Sequence, residues 1–228
     1  MLRGYTCCQL HESERVEDET ARLAKLGNKR ERQALLAQLF TVHRNRLRQA
    51  IDIRFDRHLR ARVDPSDVLQ EAFLEASRRL DGYLQAPQLP FYLWLRSLAG
   101  QAFLKLRRRH LDAKARDVRR QVSIDRCGFP SATSQAVAAL LIARELTPSD
   151  RLLRDERQRL IEDTLEKMEE IDREVLALKH FEQLSNQQIA ALLGITEGAV
   201  RQRHVRAVSR FRRAFKSKPD SKGKIRLE

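Results

Sequence analysis

The stretch SNQQIAALLGIT, Ser185–Thr196, constrains the fold more than any other part of the chain. Ser185 is a cap residue with Gln188 three places on, the pattern in which two side chains close the first turn of a helix on each other. Ile189, Ala190, Leu192 and Leu193 follow at helical spacing. Gly194 then suits the left-handed residue that ends a helix, and Thr196 can cap a new one starting at Glu197. A short helix, a glycine turn and a capped second helix make a helix-turn-helix. The small Ala190 lets the two helices approach.

Advancing 100° per residue along the second helix separates two faces. Val200, His204, Ala207, Phe211 and Phe215 fall in one arc and should pack inward. Gly198, Gln202, Val205, Arg206, Ser209 and Arg213 face the other way, with Arg201 at the boundary. Guanidinium and amide groups on the outer face are what base edges and phosphates in a major groove require. His204, alone on the inner stripe, reads as a structural histidine rather than a metal ligand or proton switch.

Charge supports a polyanion partner. The formal net charge is +14, and the excess is concentrated. Residues 101–120 hold eight Lys/Arg against two Asp, and residues 197–218 hold eight against one Glu, while 150–174 is acidic with ten acids and six bases. Clustered cations release condensed counterions when they meet phosphates. A membrane partner is not expected, because the basic blocks carry no bulky exposed apolar residues. No apolar run approaches the ~18 residues that span a bilayer. The N-terminus lacks an apolar signal core, so a cytoplasmic location is expected. Cys7, Cys8 and Cys127 fit neither a disulfide framework nor a zinc pattern. No HExxH, phosphate loop or carboxylate cluster suggests an enzyme, and no cofactor or metal is expected.

With 8 Gly, 6 Pro and no strand pattern, the expected class is all-α: two small helical domains joined by a flexible linker. The expected boundaries are a tail over 1–29, a first domain over 30–121, a linker over 122–149, a second domain over 150–216 and a basic tail over 217–228. Within the first domain a helix from Arg30 to about Asp52 buries Leu35, Leu36, Leu39, Phe40, Val42, Leu47 and Ile51. A second starts at the cap-and-proline signal Asp64-Pro65-Ser66 and should stop at Leu80, before the turn pair Asp81-Gly82. The proline-rich Leu84–Pro90 is a loop. A third helix carries Phe91, Trp94, Leu95, Leu98, Ala102, Phe103 and Leu106 on one stripe, leaving Tyr92 off it. In the linker, Gln135–Leu146 could form a short helix.

On the second helix Leu74 stands among Asp67, Gln70 and Glu71. Such a leucine is either a chance exposed apolar residue or the anchor of a protein interface, and the residues alone leave both open. The run DPSDVLQEAFLEASRRLDGY followed by PFYLWLRSLAGQAF closely resembles region two of bacterial RNA polymerase sigma factors. LSNQQIAALLGITEGAVRQRHVRAVSRFR resembles region four of the same family, and the short linker points to the extracytoplasmic-function (ECF) type of the sigma-70 family.

The resemblance implies a transcription initiation factor, not an enzyme, that directs core RNA polymerase to promoters and helps open them. It implies that Asp67, Gln70, Glu71 and Leu74 dock on the clamp helices of the largest polymerase subunit. The loop Leu84–Pro90 would capture an unstacked base of the minus-ten element. Gln101, where the family usually has Asn, would face DNA with Lys105, Arg107, Arg108 and Arg109, which hold the melted strand and adjacent duplex phosphates. Off the packing stripe, Tyr92 is the aromatic candidate for DNA contact there, ahead of Trp94. Arg201, Gln202, Val205, Arg206 and Arg213 would read the minus-thirty-five element. An anti-sigma factor is a candidate further partner. The rival reading is a stand-alone helix-turn-helix regulator that binds duplex DNA without polymerase.

Overall fold

The structure is a computed structural model that describes residues 19–55, 57–111, 129–145 and 151–216. Among them it is helical, with no β-strand: α1 (19–25), α2 (Lys29–Asp52), α3 (Arg57–Arg60), α4 (Pro65–Gln85), α5 (Phe91–Leu111), α6 (Ser134–Glu145), α7 (Arg151–Glu166), α8 (Glu170–His180), α9 (Asn186–Leu193) and α10 (Glu197–Lys216). The chain divides into two compact units, Met1–Ile51 with Leu59–Phe129 and Asp52–His58 with Pro130–Glu228. The three cysteines and the basic tail over 217–228 lie outside the described residues.

In the first unit α4 begins as the Asp-Pro signal demands. Asp64 accepts the Ser66 N–H at 2.7 Å, Asp67 closes the box on the Asp64 N–H, and Pro65 takes the first turn, where no donor is lost. The Ser66 backbone N–H holds the Asp64 carboxyl below its usual pKa. The expected stop at Asp81-Gly82 is corrected, because α4 runs on to Gln85. Tyr83 is the reason. Its ring stacks on Trp94 with centroids 4.3 Å apart, and its hydroxyl, paired with Thr20 at 2.9 Å, also donates to the Leu89 carbonyl at 2.9 Å. Packing of that order outweighs the roughly 1 kcal/mol that a helical glycine costs.

α2 lies against α4 and α5. Phe40 meets Phe73 edge-on at 5.1 Å, Gln33 donates to the Ser77 carbonyl, and Arg32 pairs with Asp81 at 2.7 Å. Val42 does not join this core and is 72% exposed, since it sits roughly 120° round the helix from the buried row Leu36, Leu39, Phe40 and Leu47. The first turns of α5 are buried on every side, from Phe91 through Arg96. Tyr92 is therefore corrected from an outward position to a core one. It is 0% exposed, with the His43 ring 5.3 Å away and the Arg46 guanidinium 3.9 Å above it.

In the second unit Ile53, Ala132, Val137, Ala138 and Ile142 share a core with Ile161, Leu165, Met168, Leu176, Phe181, Ala207 and Phe211. The reading of 122–149 as linker is thus corrected over this stretch, where α6 is part of the core; residues 122–128 and 146–149 lie outside the described ones. A buried charge cluster stands beside that core. The Arg54 guanidinium donates to the Pro130 carbonyl at 2.6 Å and to Glu182 at 2.8 Å, and pairs with Glu174, whose other oxygen accepts the Ala132 N–H at 2.6 Å. All three charged side chains are at most 4% exposed, so each depends on the others for the solvation it has lost.

Candidate nucleic-acid interface

The helix-turn-helix forms as its caps dictate. The Ser185 hydroxyl accepts the Gln188 N–H at 3.1 Å, and the Gln188 side chain accepts the Ser185 N–H at 3.0 Å. Gly194 adopts φ 69°, ψ 33° and donates to the Ala190 carbonyl at 2.9 Å. The left-handed conformation is what a glycine allows without a steric cost. Thr196 accepts the Ala199 N–H at 3.2 Å and opens α10.

α10 buries the expected stripe: Val200 and Ala207 fully, Phe211 nearly so. The Phe215 side chain lies outside the described residues. Arg201, Gln202, Val205, Arg206, Ser209 and Arg213 are all exposed, which puts the five candidate contact residues on one outward face. Arg201 is 3.7 Å from Glu197, an exposed pair worth only about 0.3–0.5 kcal/mol, so its guanidinium is readily given up to a ligand.

Two anchors hold α10 from behind. Arg203 donates to Asp172 at 2.7 Å and to Glu169 at 2.9 Å. Those hydrogen bonds raise the guanidinium pKa, and the Arg203 bond lowers that of Glu169. His204 is hydrogen-bonded to His180, with their Nε2 atoms 2.9 Å apart. Burial first, and the Lys179 charge second, push the His204 pKa below its usual value. Lys179 is itself lowered by burial and donates to Asn186 at 2.7 Å. The sequence reading found His204 but missed Arg203, because its partners, Asp172 on α8 and Glu169 just before it, lie more than thirty residues earlier.

The first unit presents a second surface. On α4 Asp67, Gln70 and Leu74 are exposed, Leu74 to 48%, while Glu71 is partly covered. On α5 Gln101, Lys105, Arg108 and Arg109 are exposed and Arg107 partly so; all but Arg107 line, with Leu104, an open depression of about 400 Å³. The two sets are joined. Glu71 pairs with Lys105, which lowers the Glu71 pKa, and Arg79 donates to Gln101 at 3.2 Å. Asp67 is also spent in part on the α4 cap. Tyr92, being buried, is not on this surface. Among the described residues no cluster of three metal-ligating side chains occurs, and no helix is long and apolar enough to cross a membrane.

A capped helix-turn-helix with a cationic, amide-bearing outer face defines a DNA-binding protein of the helix-turn-helix class. The family model "Sigma-70, region 4" matches residues 158–211, which contain that motif. The chain is 30% identical over 145 residues to the ECF RNA polymerase sigma-E factor of Escherichia coli K12, covering 63% of this chain and 70% of that protein. It is 31% identical over 144 residues to the RNA polymerase sigma-H factor of Pseudomonas aeruginosa PAO1, covering 63% and 69%. A solved structure, CnrH in complex with the cytosolic domain of CnrY, is similar at 24% identity and a TM-score of 0.48 over 89% of this chain and 97% of that one. The chain belongs to the ECF RNA polymerase sigma factors of the sigma-70 family, and is a transcription initiation factor.

Proposed function

We propose that the chain docks on the clamp helices of core RNA polymerase through Asp67, Gln70, Glu71 and Leu74, and reads a minus-thirty-five element through Arg201, Gln202, Val205, Arg206 and Arg213. The observation that carries the docking assignment is Leu74. It is a large apolar side chain left 48% exposed on a helix whose neighbouring positions carry an amide and carboxylates. A desolvated apolar anchor inside a polar rim is how protein interfaces concentrate affinity.

Gln101, Lys105, Arg107, Arg108 and Arg109 would hold the strand that opens at the minus-ten element. Melting opposes base stacking of about 1.4 kcal/mol per step, so the factor must bind the open state better than the closed one. A cationic depression on the C-terminal half of α5 can do that by taking phosphates of a separated strand. No catalytic step falls to the chain; the polymerase would supply the chemistry.

The test replaces Gln70 and Leu74 with lysine. Both positions are exposed, so the helical circular dichroism should persist while copurification with core polymerase is lost. Copurification that survives the double substitution contradicts the docking assignment.

A further inference from the structure

Two positions on the outward face of α10 carry residues that the fold does not require. Gly198 lies in the first turn, and a Cβ built there would meet only the Thr196 hydroxyl at 3.8 Å, an ordinary contact. Alanine would fit and would favour the helix. Val205 is 66% exposed, so it buries little, and a β-branched side chain is a poor choice for an open helix position. Positions that satisfy neither propensity nor packing are where another requirement decides. The two are seven residues apart, two turns, so they point within about 20° of each other and lie roughly 10 Å apart along the axis. They form one row, low at Gly198 and apolar at Val205, beside the exposed Arg201, Gln202 and Arg206.

In a major groove the apolar group on the base edges is the 5-methyl of thymine. We propose that Val205 reads a thymine of the upstream promoter element through that methyl group, and that position 198 is bare so that the row lies close enough for the contact. The inference rests on the promoter-reading role given to α10 above. A bulky side chain at 198 would lift the N-terminal end of α10 off the base edges, two turns from the Val205 methyls. The flanking guanidinium groups then set the register on phosphates and guanines, while Val205 adds discrimination that no charge can supply.

The experiment uses the full chain assembled with core polymerase. Its preferred upstream element is selected from a random duplex library, and each thymine is then replaced singly by uracil, which removes only the methyl. One such replacement is expected to weaken binding about fourfold, the worth of one buried methyl group. With Val205→Ala the thymine and uracil duplexes should bind equally, at unchanged or raised melting temperature. Gly198→Ala should also narrow the thymine–uracil ratio without lowering the melting temperature. Insensitivity at every thymine, or an equal loss in Val205→Ala, overturns the assignment of Val205. A chain that selects no upstream element with polymerase overturns the role of α10 itself, and this assignment with it.

Discussion

The Nε2 atoms of His180 and His204 lie 2.9 Å apart, with the rings stacked at 5.1 Å, so one imidazole must offer a bare nitrogen to the N–H of the other. Two imidazolium ions cannot keep that geometry. His204 has its pKa lowered by burial and by Lys179. The unfolded chain therefore binds the proton more readily than the folded one in the window below about 6.5. Stability should be fully present above that value and fall as pH drops through the lowered folded pKa. Urea denaturation from pH 7.5 to 5 measures it, and His204→Gln should flatten the curve.

Arg203 is the clamp that joins α10 to α8, and its partner Asp172 is 0% exposed. Arg203→Ala strands a buried carboxylate and should cost about 3 kcal/mol in chemical denaturation. Asp172→Asn removes the charge but keeps an acceptor. Adding Arg203→Ala to it should cost clearly less than in the wild-type background, a coupling that a double-mutant cycle reads directly.

Arg54 should be harder to lose. It faces two carboxylates with almost no solvent, so Arg54→Ala removes a buried counter-charge from both and should cost about 3–5 kcal/mol or prevent the second unit from folding. Replacing Glu174 and Glu182 by glutamine in the same chain should recover part of the loss in the melting temperature.

The pairing of Glu71 with Lys105 joins a proposed polymerase contact to a proposed DNA contact. Glu71→Gln should weaken the docking on polymerase and free the lysine. The pair is partly exposed and is worth about 0.2–1 kcal/mol, so nonspecific DNA affinity of the free chain should rise no more than about fivefold at low salt. Fluorescence anisotropy against salt concentration checks this, with a slope steeper by about one phosphate.

What was legible in the sequence was local. The Ser185–Gln188 box, Gly194, Thr196 and the Asp64-Pro65 start each satisfy backbone groups a few residues away, and each forms as expected. The outer face of α10 was equally readable, because that helix has one buried side and a clear period. Tyr92 departs from the outward position its spacing predicts because the start of α5 is buried all round, so the period that marks a single stripe has no meaning there. Gly82 does not end α4, because Tyr83 just beyond it has its partners on α1, α5 and the following loop, none of which a local turn signal reveals. Arg54 gave no signal at all, since its carboxylates lie 120 and 128 residues further on.

The direct measurement is run-off transcription on a template carrying the selected promoter, with purified core polymerase and this chain added singly and together. A transcript of one defined length should appear only when both are present, and should vanish with Gln70→Lys and Leu74→Lys together. Specific binding of the duplex by the chain alone, with no transcript when polymerase is added, would contradict the role of initiation factor and favour a stand-alone regulator.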